Sequence, residues 1–315
     1  MSHAEDMSST TSPGTPLVVG GDPAAGGGDG TASRLSRGLV TMVISGASNQ
    51  TGAALGAHVF PMIGPVGVVA VRQLVAAAVL LPAARPNLRR FTWSQWWPTL
   101  VLGGVFALMN LTLYMAIERV GLGLAVTLEV LGPLSVALLS SRTRRDLLCA
   151  VAAAGGVYVL VLPGPSSDYL GVGLGLVAAG CWAAYIVLNR LVGQRLPGLQ
   201  APAVASSVAA LIYAPVAVTL LLQGRFDGRA LAYALVAGVL SSVVPYAADL
   251  MALRWVPQHT FGLFMSLQPV LAALAGVALL GQLLEVHEWV GLAVVALTNA
   301  VAVAAVRGRR RVLPA

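Results

Sequence analysis

The chain has 315 residues, of which 57% are hydrophobic and only 10% are charged. Because soluble domains carry about 25% charged residues, this composition excludes a soluble protein and indicates an integral membrane protein. The net charge of +7 does not indicate a nucleic-acid partner, because the positions of the basic residues follow a membrane topology.

The first part of the chain, residues 1–33, is rich in Gly, Ser, Thr, Pro and Asp. It has neither the basic start nor the apolar core of a signal peptide. Such a composition is typical of disorder, so residues 1–35 are predicted to form a disordered cytoplasmic tail.

Ten apolar segments follow, each near the length of about 20 residues that a helix needs to cross a bilayer. They cover approximately residues 37–60, 65–84, 96–117, 122–141, 147–163, 169–190, 201–222, 231–252, 261–281 and 287–306. The sequence therefore predicts an all-α membrane fold of ten transmembrane helices. The short connections leave no room for a soluble catalytic domain.

The arginines predict the orientation, since all 19 basic residues are Arg. With a cytoplasmic N-terminus, 15 of them fall on the inner side and three, Arg119, Arg225 and Arg229, on the outer side. This positive-inside bias predicts a multi-pass plasma-membrane protein with both termini in the cytoplasm. The last residues, 307–315, form a basic cytoplasmic tail.

The two halves of the chain resemble each other. A shift of 136 residues pairs Met115 with Met251 and Pro133 with Pro269, and it gives six matches over 24 positions. We therefore predict two five-helix repeats, residues 36–163 and 168–306.

Five spans are an odd number, so the second repeat must enter the membrane upside down. Inverted repeats are the architecture of secondary transporters, and matched proline breaks indicate the binding site. Those breaks are Gly132-Pro133 and Gln268-Pro269. Pro133 and Pro269 are predicted hinges, although prolines also kink membrane helices without any function.

Apart from charges at the ends of the spans, three charged residues lie within the predicted spans: Arg72, Glu129 and Asp249. A charge there costs about 2.5–3.5 kcal/mol on insertion scales and is usually functional. Arg72 and Glu129 both lie about 10 Å below the outer edge, so they either form a buried ion pair or bind the charged groups of a substrate. Asp249 lies near the inner edge, where it is solvated, pairs with Arg254, or takes part directly.

Neutral polar and aromatic side chains collect at the same depth, and amides in a membrane either hold helices together or bind polar ligands. The candidates are Asn49, Gln50, Asn110, Tyr114, Trp182, Tyr185, Tyr246 and Gln268. Together with one acid and one guanidinium they suit a zwitterion. No metal site, catalytic residue or cofactor is predicted, and Cys149 and Cys181 are expected to pack as small apolar residues.

Five segments carry a resemblance to a known family: residues 46–61 (GASNQTGAALGAHVFP), 64–72 (GPVGVVAVR), 109–142, 180–186 (GCWAAYI) and 241–274. They resemble the drug/metabolite transporter superfamily with its paired EamA-type repeats, and within it the bacterial threonine/homoserine exporter subgroup. The resemblance covers roughly residues 36–306.

This resemblance implies efflux of small amino acids in exchange for protons, with Arg72 and Glu129 at positions where the family has Arg and Glu. Asp249 stands where the family has Glu. Gln268 and Gln282 replace family acids, so Glu129 would have to couple to the proton alone, or coupling would be absent.

We therefore predict a transporter that exports threonine- or homoserine-like amino acids or related metabolites by proton antiport. The predicted partners are a small-molecule substrate, protons and the lipid bilayer, with a homodimer left open and no nucleic acid. A multidrug or aromatic-metabolite exporter and a metabolite importer are the alternatives. A membrane enzyme is disfavoured, since His58, His259 and His287 are scattered and no Lys or paired carboxylates exist, and a non-transporting receptor or scaffold is the remaining alternative.

Overall fold

The computed structural model describes residues 28–139, 144–162, 167–196, 199–255 and 264–312. Every regular element in these ranges is a helix. In chain order they are α1 (Gly28–Ala57), α2 (Phe60–Ala84), α3 (Trp93–Val120), α4 (Leu122–Glu129), α5 (Leu131–Leu139), α6 (Arg144–Val161), α7 (Tyr169–Gly193), α8 (Gln200–Leu222), α9 (Gly228–Gly238), α10 (Val244–Trp255), α11 (Gln268–Leu280) and α12 (Val286–Val312), with a 3-10 turn at Leu88–Arg90 and a π-helical segment at Val239–Val243.

The predicted all-α fold is confirmed for this part of the chain, and each of the ten predicted apolar segments falls on one or more of these helices. In the part of the chain that the structure describes, four helices, α2, α3, α7 and α8, are long and apolar enough to cross a membrane. The other six spans stay predictions. Two of them are interrupted, because α4 and α5 share the fourth predicted span and the π-helical segment divides the eighth.

The helix ends differ from the predicted tails at both termini. Helix α1 begins at Gly28, before the predicted tail boundary at residue 35, and α12 continues to Val312, beyond the predicted end of the last span at residue 306. Arg is a good helix former, so the basic stretch after residue 306 continues α12 until the chain approaches Pro314.

Both predicted proline breaks are present in the backbone. Pro133 has no N–H to donate to the carbonyl of Glu129, four residues earlier, so the chain turns at Val130 between α4 and α5. Pro269 lies in the first turn of α11, where a missing N–H costs little. The chain is thus interrupted at matching points of the two halves.

Helices from the two halves pack against each other throughout. The main pairs are α3 with α7, α2 with α8, α6 with α12, α1 with α10, and α4 with α11. Small residues allow the closest approaches: a Cβ on Gly123 would lie 3.0 Å from the Ala273 Cα atom, and one on Gly132 would collide with the Ala179 carbonyl oxygen.

Hydrogen bonds join the halves at the predicted outer side. His58 Nε2 lies 2.8 Å from the Leu279 carbonyl oxygen. The backbone N–H of Leu122, at the start of α4, donates to Gln282 Oε1 at 3.0 Å. Because the first N–H groups of a helix lack intrahelical acceptors, Gln282 caps α4 from the other half.

A second set of contacts joins the halves at the predicted cytoplasmic side. Gln95 Nε2, near the start of α3, donates to the Arg195 carbonyl oxygen at 3.0 Å. The Arg195 guanidinium also lies over the Trp97 ring, with Cζ 5.7 Å from its centroid. These contacts fix the ends of α3 and α7 side by side, and the cavity described next lies between the outer and inner contacts.

Candidate functional site

A cavity lies between the two halves, at mid-height of the helices. It has two adjoining parts, of about 240 Å³ and 400 Å³. Both parts are lined by Asn49, Gln50, Glu129, Trp182 and Tyr185. Since these five residues come from α1, α4 and α7, the fold gathers predicted site residues of both halves around one space.

Glu129 is the buried acid of this cavity. Its residue is only 7% exposed, and it ends α4 because Pro133 prevents the helix from continuing. Among the described residues, no side chain or backbone group forms a hydrogen bond or ion pair with its carboxylate. An unpaired buried carboxylate is costly unless it takes up a proton or binds a cationic group, so either would stabilise Glu129 in this position.

Arg72, on α2, lines the first part of the same cavity. Its Nη2 donates to the Ser241 carbonyl oxygen at 3.0 Å, and its Nε donates to Ser242 Oγ at 3.3 Å. The ion pairs between described residues are Arg119–Asp168 and His287–Glu285, so Arg72 and Glu129 do not pair directly. They present opposite charges to one cavity instead.

Tyr114 does not line the cavity. It is fully buried behind Arg72, whose Cζ lies 5.4 Å from the Tyr114 ring centroid. The ring also packs edge-on against Phe60 at 6.0 Å. A guanidinium over an aromatic face is attracted to it, so Tyr114 supports Arg72 from the side away from the cavity.

The amides have different roles. Gln50, on α1, donates from Nε2 to Gln268 Oε1 at 2.8 Å, which links the halves across the second part of the cavity. Asn110 donates from Nδ2 to the carbonyl oxygen of Phe106 in its own helix at 2.8 Å. Asn49 lines both parts and is half-buried. Gln268 therefore accepts a neutral hydrogen bond at the position where the family resemblance implied an acid.

The aromatic wall comes from α3 and α7. Trp182 and Tyr185 line both parts of the cavity, and the Tyr185 ring lies 6.1 Å from the Phe106 ring. Trp182 packs next to Gly132, where an added Cβ would lie 3.1 Å from the Trp182 Cβ atom. The glycine before Pro133 thus brings the helix break close to this wall.

The remaining predicted residues are the two hinge prolines, Tyr246 and Asp249. Pro133 lines the second part of the cavity, whereas Pro269 is buried and lines neither part. Tyr246 and Asp249 lie on α10, but their side chains fall outside the described part of the structure. For these two, the predicted role stays a prediction.

Several residues that line the cavity were missing from the predicted set, among them Ser241, Ser242, Asn299 and Met109. The serines were visible as a polar pair within a predicted span, but serines commonly bond their own helix backbone and so gave no distinct signal. Asn299, whose Oδ1 has no hydrogen-bond partner among the described residues, could have been found as an amide within the last span. Met109 is apolar, and nothing in the sequence distinguishes it from a core residue.

The cavity has the features of a site for a small zwitterion. Among the described residues that line it, Glu129 is the acid and Arg72 the base, amides and hydroxyls supply neutral hydrogen bonds, and Phe106, Trp182 and Tyr185 supply apolar surface. Within the described residues, no three His, Cys, Asp or Glu side chains are grouped as metal ligands. Its chemistry is that of binding charged groups.

Comparisons with known proteins identify the family of the chain. The model of the EamA-like transporter family matches residues 169–303. The threonine/homoserine exporter RhtA of Salmonella typhimurium (strain SL1344) is 36% identical over 252 residues, 78% of this chain and 84% of the relative. RhtA of Escherichia coli (strain K12) is 35% identical over 249 residues, with the same coverage.

More distant similarities extend over the same bundle. The uncharacterized transporter YwfM of Bacillus subtilis (strain 168) is 24% identical over 257 residues, 78% of this chain and 86% of the relative. One crystal structure superposes on this chain with a TM-score of 0.54 at 19% sequence identity. The superposition covers 89% of this chain and 98% of the other chain. At that identity the similarity shows the fold alone.

Proposed function

Because this chain belongs to the EamA-like transporter family of integral membrane proteins, we propose that it is a secondary active transporter that exports small amino acids resembling threonine or homoserine. It moves them across the plasma membrane by alternating access, with both termini in the cytoplasm, and exchanges them for protons. The observation that carries this proposal is a buried carboxylate that pairs with no described residue and lines the same cavity as a guanidinium.

In this mechanism the two charged residues bind opposite charged groups of the substrate. Deprotonated Glu129 binds the substrate amino group, and Arg72 binds the carboxylate. Protonation of Glu129 from the outer side then removes the partner of the amino group and releases the substrate. The proton leaves to the cytoplasm in the inward-facing state, which restores the carboxylate for the next cycle. Since Gln268 is neutral, Glu129 alone carries the proton.

The size of the cavity is that of a small-molecule site. Ligand pockets span about 300–1,000 Å³, and the two adjoining parts of this cavity measure 240 Å³ and 400 Å³. The names of the curated relatives, threonine/homoserine exporters, favour small amino acids as the substrate.

The packing of the helices supports an inverted repeat. Exchanging each helix for its counterpart in the other half converts the α3–α7 pair into α10–α1, and both pairs are in contact. The same exchange maps the pairs α2–α8, α4–α11 and α6–α12 onto themselves. A bundle with this two-fold pattern can form outward-open and inward-open states from the same set of contacts.

The experiment that tests the proposal is transport of a panel of labelled amino acids into inverted membrane vesicles, with and without an acidic lumen. Saturable uptake of L-threonine or L-homoserine that collapses without the pH gradient is expected. Uptake that is independent of the gradient would contradict proton coupling and indicate an uncoupled carrier or exchanger. The lack of any amino-acid uptake would contradict the substrate class.

An exporter of lipophilic cations or aromatic metabolites is the second candidate, favoured by the aromatic wall of Phe106, Trp182 and Tyr185. Such a cation needs Glu129 and the aromatic rings, but it has no carboxylate for Arg72. Arg72→Ala should therefore abolish amino-acid transport and leave transport of a lipophilic cation intact. Arg90→Ala, at an exposed position, removes the same charge outside the cavity and is the matched control.

A further inference from the structure

The π-helical segment Val239–Val243 is the most unusual element that borders the cavity. It divides the eighth predicted span between α9 and α10. Short π-helical turns inside α-helices are rare and frequently occur at functional sites, because they displace backbone carbonyls from the regular i→i+4 pattern. This one lies directly opposite Arg72.

Side chains of the first half hold this segment through its carbonyl oxygens. Ser48 Oγ, on α1, donates to the Leu240 carbonyl oxygen at 2.8 Å. Arg72 Nη2, on α2, donates to the Ser241 carbonyl oxygen at 3.0 Å. Gly52 brings α1 close enough for this, since a Cβ there would lie 2.8 Å from the Ser241 backbone nitrogen.

Ser242 and Ser48 differ in whether the hydroxyl proton is already donated in a hydrogen bond. Its Oγ accepts the bond from Arg72 Nε at 3.3 Å, and no described residue accepts the proton of its hydroxyl. The residue is 6% exposed and lines the cavity. Ser48 lines neither part of the cavity, and its proton is already donated to Leu240.

We propose that Ser242 is a specificity-determining residue of the transporter, which donates its hydroxyl proton to the substrate carboxylate that Arg72 neutralises. The inference rests on the proposed function and adds to it a residue and a chemical selection. Arg72 supplies the charge, and the bond from its Nε orients the Ser242 oxygen so that the hydroxyl proton points away from the guanidinium. Leaving a buried hydrogen-bond donor without an acceptor costs free energy. The subsite therefore favours ligands that have a hydrogen-bond acceptor at this point.

The hydroxyl of Ser242 selects between charged and neutral acceptors on the ligand. A hydrogen bond to a charged group is stronger than one between neutral groups, so the hydroxyl of Ser242 favours a carboxylate over a neutral polar group in the same position. A ligand that keeps the amino and hydroxyl groups of threonine but lacks the carboxylate, 1-amino-2-propanol, gains nothing from Ser242.

The test compares Ser242→Ala with Ser48→Ala in inverted vesicles, by the KM and maximal rate of L-threonine uptake. Loss of a charge-assisted hydrogen bond should raise the KM of Ser242→Ala roughly tenfold and leave its maximal rate within about twofold. Ser48→Ala, which removes from α1 a hydroxyl that donates to the same π-helical segment, should leave the KM unchanged. Inhibition of uptake by 1-amino-2-propanol should be the same in Ser242→Ala and wild type.

An unchanged KM in Ser242→Ala would overturn the inference, and so would an equal rise in Ser48→Ala, which would assign both serines to support of the segment. If Ser242→Ala does not reach the membrane, Ser242→Cys preserves the packing and replaces the hydroxyl by a weak donor, and the same rise in KM is expected. A wild-type protein that does not transport L-threonine would instead overturn the proposed function itself.

Discussion

Glu129 combines three features that rarely coincide: it is 7% exposed, it ends a broken helix, and no described residue pairs with its carboxylate. A buried ion pair with Arg72 would have made it a structural element of the first half. Arg72 instead bonds Ser241 and Ser242 in the second half. The carboxylate is therefore available to ligands, and Arg72 links the two halves while it faces the same cavity.

Replacing Glu129 by Gln should uncouple or stop transport, because the amide can neither take up a proton nor hold the substrate amino group by charge. We expect L-threonine efflux to fall by at least roughly tenfold, the effect of one charge-assisted hydrogen bond, and any residual flux to be independent of the pH gradient. Glu118→Gln makes the same chemical change at an exposed site and should leave both properties intact. Normal, gradient-dependent efflux by Glu129→Gln would contradict the assignment.

Asp168 is a second acid with a defined role, outside the membrane-spanning part of α7. It accepts bonds from the Gly171 N–H at 2.8 Å and from Arg119 Nη1 at 2.9 Å. The Gly171 bond, followed by the interaction with Arg119, holds the pKa of Asp168 below its usual value. A group with a lowered pKa in the folded state stabilises that state above its unfolded pKa, near 3.9, and loses this contribution as the pH falls through the folded pKa.

The outer contact made by Asp168 should therefore persist throughout pH 5–8, far above the range in which this carboxyl titrates. Asp168→Asn removes the ion pair with Arg119, yet it should leave the pH dependence of efflux superimposable on that of wild type. The measurement is the initial rate of efflux across this pH range. A shift of the pH profile in Asp168→Asn would show that a group other than Glu129 senses the outer proton.

At the scale of the elements, glycines decide where helices of the two halves meet. Gly132 precedes the proline break of α5, and a Cβ there would collide with the Ala179 carbonyl oxygen of α7. Gly180, one residue further along α7, has open space around the position of an added Cβ. The two positions allow the same substitution to be compared on facing helices.

Gly132→Ala should destabilise the protein by about 1–3 kcal/mol, as overpacking does, and lower its melting temperature in detergent. Gly180→Ala should raise the melting temperature slightly, because replacing a helical glycine stabilises by about 0.4–1 kcal/mol where no clash arises. Thermal unfolding of the two purified variants is the measurement. Equal melting temperatures would contradict the close packing of α5 on α7.

The elements also show which parts of the structure could be predicted from sequence. Helix positions followed from apolar length, and the breaks followed from Pro133 and Pro269, because a proline removes one helical hydrogen bond wherever it stands. The π-helical segment at Val239–Val243 was not predicted, although Pro245 has no N–H for the Ser241 carbonyl oxygen four residues earlier. The sequence did not indicate that Arg72 of the other half would donate to this carbonyl oxygen, or Ser48 to that of Leu240.

For the whole molecule, most of the predicted site residues whose side chains are described line one cavity, because ionisable and amide side chains are rare inside a membrane and must find partners or a cavity. Charge type and depth indicated that Arg72 and Glu129 are neighbours. They did not indicate that Arg72 would take its hydrogen-bond acceptors from Ser241 and Ser242, or that Tyr114 would lie behind it. Such choices depend on the rotation of each helix about its axis, which composition and spacing leave undetermined.

Alternating access requires that the outer contacts between the halves open once per cycle. His58 and Leu279 form one of them, with His58 Nε2 at 2.8 Å from the Leu279 carbonyl oxygen, and both residues are exposed to reagents. In a background where Cys149 and Cys181 are replaced by Ala, the double variant His58→Cys/Leu279→Cys should react with a flexible, reducible thiol cross-linker. Cross-linking should then stop L-threonine transport, because the outer side can no longer open, and reduction should restore it. Each single cysteine variant should keep its transport after the same treatment. Continued transport by the cross-linked protein would mean that the halves move apart elsewhere or not at all.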